Sequence, residues 1–222
     1  FATEALNAHQ RTLRMRGRPK IVLARSYEEA MELYEKYANN VLGVITDARY
    51  PRNGLVDPMA GIKLLGEIRK RDPFVPLILE SSEVNNKEYA RLYEASFVDK
   101  NSKKMNIDLR EIVSENFGFG DFVFRNPNTM EEVARVRNLK ELQNIIYSIP
   151  KESLLYHVQR NHVSRWLYSR AMFPAAEFLK QITWDSLQDV DAHRKVIFEA
   201  IVKYRKMKNQ GVVAIFQRDR FD

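Results

Sequence analysis

Three side chains able to handle a phosphoryl group stand at the ends of three short apolar runs. They are Asp47 after Val41–Thr46, Ser81 after Pro76–Glu80, and Lys100 after Ser96–Asp99. A carboxylate can attack phosphorus, a hydroxyl can donate to a phosphate oxygen, and an ammonium can offset the charge that phosphate brings. Runs of this length and β-branched character read as strands buried on both faces. In an open parallel sheet the carboxyl ends of such strands face one crevice, so the spacing predicts one site from Asp47, Ser81 and Lys100.

The segments between these runs carry helical periodicity. Ser26 and Glu29 have the spacing of a capping box, opening a helix with Ala30, Leu33, Tyr34 and Tyr37 on one face and an end at Asn39-Asn40. Asp57-Pro58 reads as an N-cap followed by proline, with Ile62, Leu65 and Ile68 as the buried stripe and Asp72-Pro73 as the stop. Residues Ala48 to Val56, rich in turn formers, read as a loop. A helix through Tyr89 and Leu92, and another carrying Leu109, Ile112, Val113 and Phe117, complete the series. With Lys20–Ala24 as a further apolar run, strands alternate with helices across residues 20–117, which predicts parallel strands joined by right-handed crossovers. Residues Phe1 to Met15 have helical spacing and stop at Gly17 and Pro19.

Composition narrows the chemistry. The 222 residues are 45% hydrophobic and contain no cysteine, which excludes disulfides, thiolate metal sites and cysteine nucleophiles. Any metal must therefore be held largely by oxygen. No apolar run approaches the roughly 20 residues of a membrane span, and no signal-peptide pattern opens the chain, so a cytoplasmic setting is expected. The net charge of +7 is concentrated in residues 1–25 and 194–208. Such runs can bind nucleic acid, but the periodicity of residues 193–208 places these charges on a solvated face, which disfavours that partner.

After Gly118-Phe119-Gly120 the pattern changes. Phe122–Arg125 and Val133–Arg137 alternate across Asn126-Pro127-Asn128 and predict a hairpin. Asn138 and Glu141 cap a helix with Leu139, Leu142, Ile145 and Ile149 on one side, stopped by Pro150. Residues 153–171 read as helix with a break near Asn161, Pro174 starts a short helix through Phe178, and residues 190–209 bury His193, Ile197, Ala200, Ile201 and Tyr204. His157 and His162 would lie about 140° apart on an unbroken helix and meet only if the break falls between them. Trp166 reads as core, although Arg165 and Arg170 beside it allow a base-stacking alternative. Gly211–Phe216 reads as an exit from the domain.

The quoted motifs carry a resemblance. Residues 20–117 resemble a bacterial response-regulator receiver domain from its second strand onward, with GVITD, LILESSE and SFVDKN matching its last three strands. The resemblance implies a flavodoxin-like α/β sheet, a phosphoacceptor at Asp47, a phosphate-binding hydroxyl at Ser81 rather than Ser82, a phosphate-pairing Lys100 and a switch aromatic at Phe97. It also implies Mg²⁺ on Asp47 and the Arg49 carbonyl, with upstream acids of a first strand that this sequence does not contain, and a histidine kinase or small phosphodonor as partner. The loop after Asp47 is longer than the family's. GFGDFVFR, ESLLYHVQRNHVSRWL and GVVAIFQRDRFD are similar to the N-terminal regulatory region of bacterial phosphoenolpyruvate synthase/pyruvate, phosphate dikinase-like proteins.

The expectation is a truncated receiver-like α/β domain over 1–117 and a mainly helical α+β module over 118–222. Together they form a signal-receiving, non-enzymatic fragment that relays to downstream catalytic domains of a phosphotransfer protein. The alternative is a response regulator whose helical output, through Arg194–Lys208 with Arg165 and Arg170, binds nucleic acid.

Overall fold

The computed structural model describes residues 19–187 and 189–213. Two compact units divide the chain, Phe1–Phe119 with Tyr168–Ala171, and Gly120–Leu167 with Met172–Asp222. The expected helix over Phe1 to Met15 lies outside the described residues.

The first unit is an α/β layer. Helix α1, Tyr27–Tyr37, leads to strand β1, Val44–Asp47, and a hairpin of β2, Tyr50–Arg52, and β3, Leu55–Asp57, follows. Then come α2, Ala60–Arg71, β4, Leu77–Ser81, α3, Lys87–Leu92, β5, Ser96–Asp99, and α4, Met105–Asn116. β1, β4 and β5 form a parallel sheet in the order β1-β4-β5, with Asp47 opposite Glu80 and Ser81 opposite Asp99. Side-chain alternation along β4 divides the core between the two faces of the sheet. Leu77 and Leu79 pack with Tyr34, Ile62, Leu65 and Ile68. Ile78, on the other face, packs with Val98 and Phe117 and is bordered by Leu109, Ile112 and Val113 of α4.

Local chemistry explains most boundaries. Ser26 Oγ accepts the Glu29 N–H at 3.2 Å, while the Glu29 carboxylate caps the Arg25 N–H at 2.6 Å, one residue earlier than a standard box. Asn53 and Gly54 both have positive φ, 52° and 76°, the geometry of a tight hairpin turn. The segment read as a loop is therefore a two-stranded ribbon, and its Asn-Gly pair is the sequence mark of it. Helix α2 begins at Ala60 rather than after Asp57, because Asp57 ends β3 and its carboxylate accepts the Met59 N–H at 2.8 Å and pairs with Lys63 at 2.7 Å.

Lys20–Ala24 departs from its expectation. It forms no strand, and Ile21 is 98% exposed. β1 has β4 on one side and no described strand on the other, so Lys20–Ala24 does not pair with the open β1 edge and takes no place in the sheet.

The second unit is mostly helical. β6, Phe122–Arg125, and β7, Glu132–Val136, make an antiparallel hairpin. They are followed by α5, Leu139–Ile145, α6, Lys151–Gln159, α7, His162–Ser169, α8, Phe173–Lys180, and α9, Val190–Val213. The Asn138 carbonyl Oδ1 accepts the Glu141 N–H at 3.0 Å, as the cap spacing requires. Asn161, with φ 56°, separates α6 from α7. Trp166 is buried and its indole N–H reaches the Gly120 carbonyl at 3.1 Å. His193, Ile197, Ala200, Ile201 and Tyr204 are all buried on α9. That helix continues through Gly211 to Val213, into the expected exit, whose remaining residues lie outside the described ones.

Candidate functional site

The carboxyl ends of the three parallel strands bring the sequence-predicted residues together. Asp47 closes β1, Ser81 closes β4, and Lys100 follows β5, where its backbone N–H donates to the Ser81 carbonyl at 3.0 Å. Lys100 Nζ donates to Asp47 Oδ2 at 2.6 Å, and the Arg49 N–H lies 3.4 Å from Asp47 Oδ1. Both carboxylate oxygens are thus engaged by donors, and both side chains of the ion pair stay partly open to solvent.

The approach of α2 shapes this rim. A Cβ on Gly61 would fall 1.9 Å from the Asp47 carbonyl oxygen, a distance no side chain tolerates, while the Gly61 N–H donates to the Ala48 carbonyl at 3.0 Å. Glycine at 61 is what lets the helix start against the strand end. The Thr46 hydroxyl, 2.9 Å from the Asp47 carbonyl, holds the same peptide from the neighbouring position.

Ser81 and Ser82 separate cleanly. Ser81 is buried, whereas Ser82 is exposed and offers only its carbonyl, to Asn101 Nδ2 at 2.9 Å. The Ser81 hydroxyl oxygen accepts from Glu83 N–H at 3.0 Å and from Asn86 Nδ2 at 2.9 Å. Phe97 is half-buried at the edge of the cluster formed by Leu77, Leu79 and their neighbours, with Leu79 opposite it across the sheet.

Two residues of this neighbourhood escaped the sequence reading. Glu80 faces Asp47 in register, and burial raises its carboxyl above the usual range, with Asp47 adding to the effect and Lys100 opposing it. An acidic residue ending the otherwise apolar PLILE was the available sign. Asn86 left no such sign, since only the fold buries it beside Ser81.

The implied Mg²⁺ does not fit the residues present. Among the described residues no three histidine, aspartate or glutamate side chains converge, and Asp47 Oδ2 already carries Lys100. Asp47 and the Arg49 carbonyl alone leave most of an octahedral oxygen shell unfilled.

The second unit offers two further clusters. The break at Asn161 does bring His157 and His162 together, Nδ1 to Nδ1 at 2.9 Å. His157 Nε2 accepts the Arg125 N–H at 2.9 Å, so the proton of its neutral ring sits on Nδ1 and is donated to His162. That leaves His157 no lone pair for a metal, and the pair acts as a clamp between β6, α6 and α7. Phe122, Phe124 and Tyr156 pack edge-on around His157. The basic face of α9 is partly committed as well: Arg194 bonds Asp191 at 2.6 Å and the Ile149 carbonyl at 2.7 Å, Lys195 pairs with Glu199 at 4.0 Å, and Arg205 bonds Gln143. Arg170, which belongs to the first unit, donates to the Gly118 carbonyl at 2.7 Å.

No family model, no curated protein and no solved structure matches this chain. The structure by itself gives a small three-stranded parallel α/β sheet followed by a mostly helical region, and no helix among the described residues is long and apolar enough to cross a membrane.

Proposed function

We propose that this chain is a signal-receiving regulatory fragment whose input site is the crevice of Asp47, Ser81 and Lys100. The observation that carries the reading is the 2.6 Å contact between Lys100 and Asp47, with the buried Ser81 ending the parallel strand that lies between theirs. A phosphoryl group on Asp47 would replace one carboxylate oxygen contact with three acceptor oxygens and added negative charge. Lys100 would move from the carboxylate to the phosphate, and Ser81 would donate to it. The resulting shift of β4, β5 and the helices after them would be passed to the helical second unit. In this reading the longer protein is phosphoenolpyruvate synthase-like, the phosphoryl source is a histidine kinase or a small phosphodonor, and the recipients of the shift are downstream phosphotransfer domains.

The test is phosphorylation of the 222-residue chain by phosphoramidate, in Mg²⁺ and separately in EDTA. An Asp47 carboxylate oxygen forms the O–P bond as the P–N bond breaks, and ammonia leaves with the electron pair of that bond. A hydroxylamine-labile phosphoryl adduct that Asp47→Asn abolishes is the expected result. No adduct in either buffer removes phosphorylation and leaves a second reading, in which a partner docks on the crevice without chemistry.

A further inference from the structure

We infer that Asn86 is the positioning residue of this site: it makes Ser81 a donor only, and couples the state of that hydroxyl to helix α3. The inference rests on the phosphoryl-receiving reading and adds to it how occupancy leaves the crevice. A serine hydroxyl has one proton and two lone pairs. Asn86 Nδ2 at 2.9 Å and Glu83 N–H at 3.0 Å fill both lone pairs of Ser81. Its proton must point away from both donors, and no hydrogen bond from the Ser81 hydroxyl is made among the described residues. A buried hydroxyl with its proton unspent and its oxygen saturated is prepared for an incoming acceptor oxygen, the group that a phosphate supplies.

Asn86 is itself buried, 6% exposed, and ends the single 3₁₀ turn Val84–Asn86 from which α3 continues at Lys87. Its amide is therefore both a ligand of Ser81 and the first fixed point of α3. When Ser81 moves toward a phosphate oxygen to donate that proton, its own oxygen moves with it, and Asn86 must follow or lose its partner. A buried amide that loses its partner is left desolvated and unpaired, a cost that drags the short helix along. The exposed apolar residues Val84 and Leu92 move with it.

The test compares wild type with Asn86→Asp, which keeps the side-chain size but offers Ser81 an acceptor in place of a donor. Each protein is phosphorylated with phosphoramidate, and the amide NMR shifts of residues 87–92 are read per labelled molecule, so that slower labelling does not enter. The expected result is a clear shift in wild type and a response at least threefold smaller in the variant. Asn86→Ala, which buries no charge, replaces it if that variant does not fold, with the same expectation. A wild-type-sized response in the folded variant overturns the inference and leaves the phosphoryl reading standing. Absence of label on wild-type Asp47 overturns both.

Discussion

Lys100 Nζ rests 2.6 Å from Asp47 Oδ2 across 53 residues of sequence, and the pair sits at the rim of the sheet rather than inside it. The two side chains are 36% and 40% exposed. Exposed pairs of this kind contribute about 0–1 kcal/mol. Asp47→Asn and Lys100→Met should therefore each change the unfolding free energy by less than about 1 kcal/mol, measured by urea denaturation. A loss above about 2 kcal/mol would mean the pair is structural and not held for chemistry.

Gly61 should be intolerant. The Cβ of Gly61→Ala would meet a backbone carbonyl, which cannot rotate aside, so α2 or the end of β1 must shift. The expected cost is about 1–3 kcal/mol, together with displaced Asp47 and Arg49 amide signals. Gly54→Ala is the useful contrast: nothing lies within 4 Å of its Cβ, so only the positive φ is strained, and the site's signals should stay in place.

Acid should weaken the second unit through its histidine clamp. Burial, then the charges of Arg125 and Arg160, pushes His157 down to about 4, and burial likewise holds His162 low, with His157, Arg165 and Arg160 adding to it. The unfolded chain binds the extra proton from about pH 6.5 downward, the native one only near 4. The stabilisation is thus complete above about pH 6.5 and is lost as pH falls toward about 4, with a slope approaching 1.4 kcal/mol per pH unit for one histidine. Urea midpoints across that window check it, and His157→Gln with His162→Gln should flatten the slope.

Millimolar Mg²⁺ should leave the Asp47, Arg49 and Lys100 amide signals of this chain unmoved, because Lys100 already holds the carboxylate and no third ligand converges among the described residues. A saturable shift centred on Asp47 would show a metal shell that these residues do not account for.

Much of the first unit was legible in advance. Ser96–Asp99 is a strand as read, and Ile62, Leu65 and Ile68 are buried as read. These follow from period and from turn chemistry, which a few neighbouring residues fix. The Asn53-Gly54 hairpin is equally local, since these turn formers close a tight turn between two strands rather than mark an open loop. Lys20–Ala24 shows the limit: its composition suits a strand, but a strand exists only where another strand meets it, and β1 presents an edge with no described neighbour.

The amino-acid order alone determined the alternation of apolar runs and amphipathic helices, and with it which carboxylate, hydroxyl and ammonium would reach the sheet's carboxyl rim, because side-chain period and caps are properties of short stretches. Tertiary structure alone decided what those groups touch. Asn86 reaches Ser81 through the turn that follows β4, His157 meets His162 because Asn161 takes a left-handed conformation, and Glu80 faces Asp47 through strand register. Each of these depends on how the backbone bends or which strand lies alongside, and packing of the whole unit sets both.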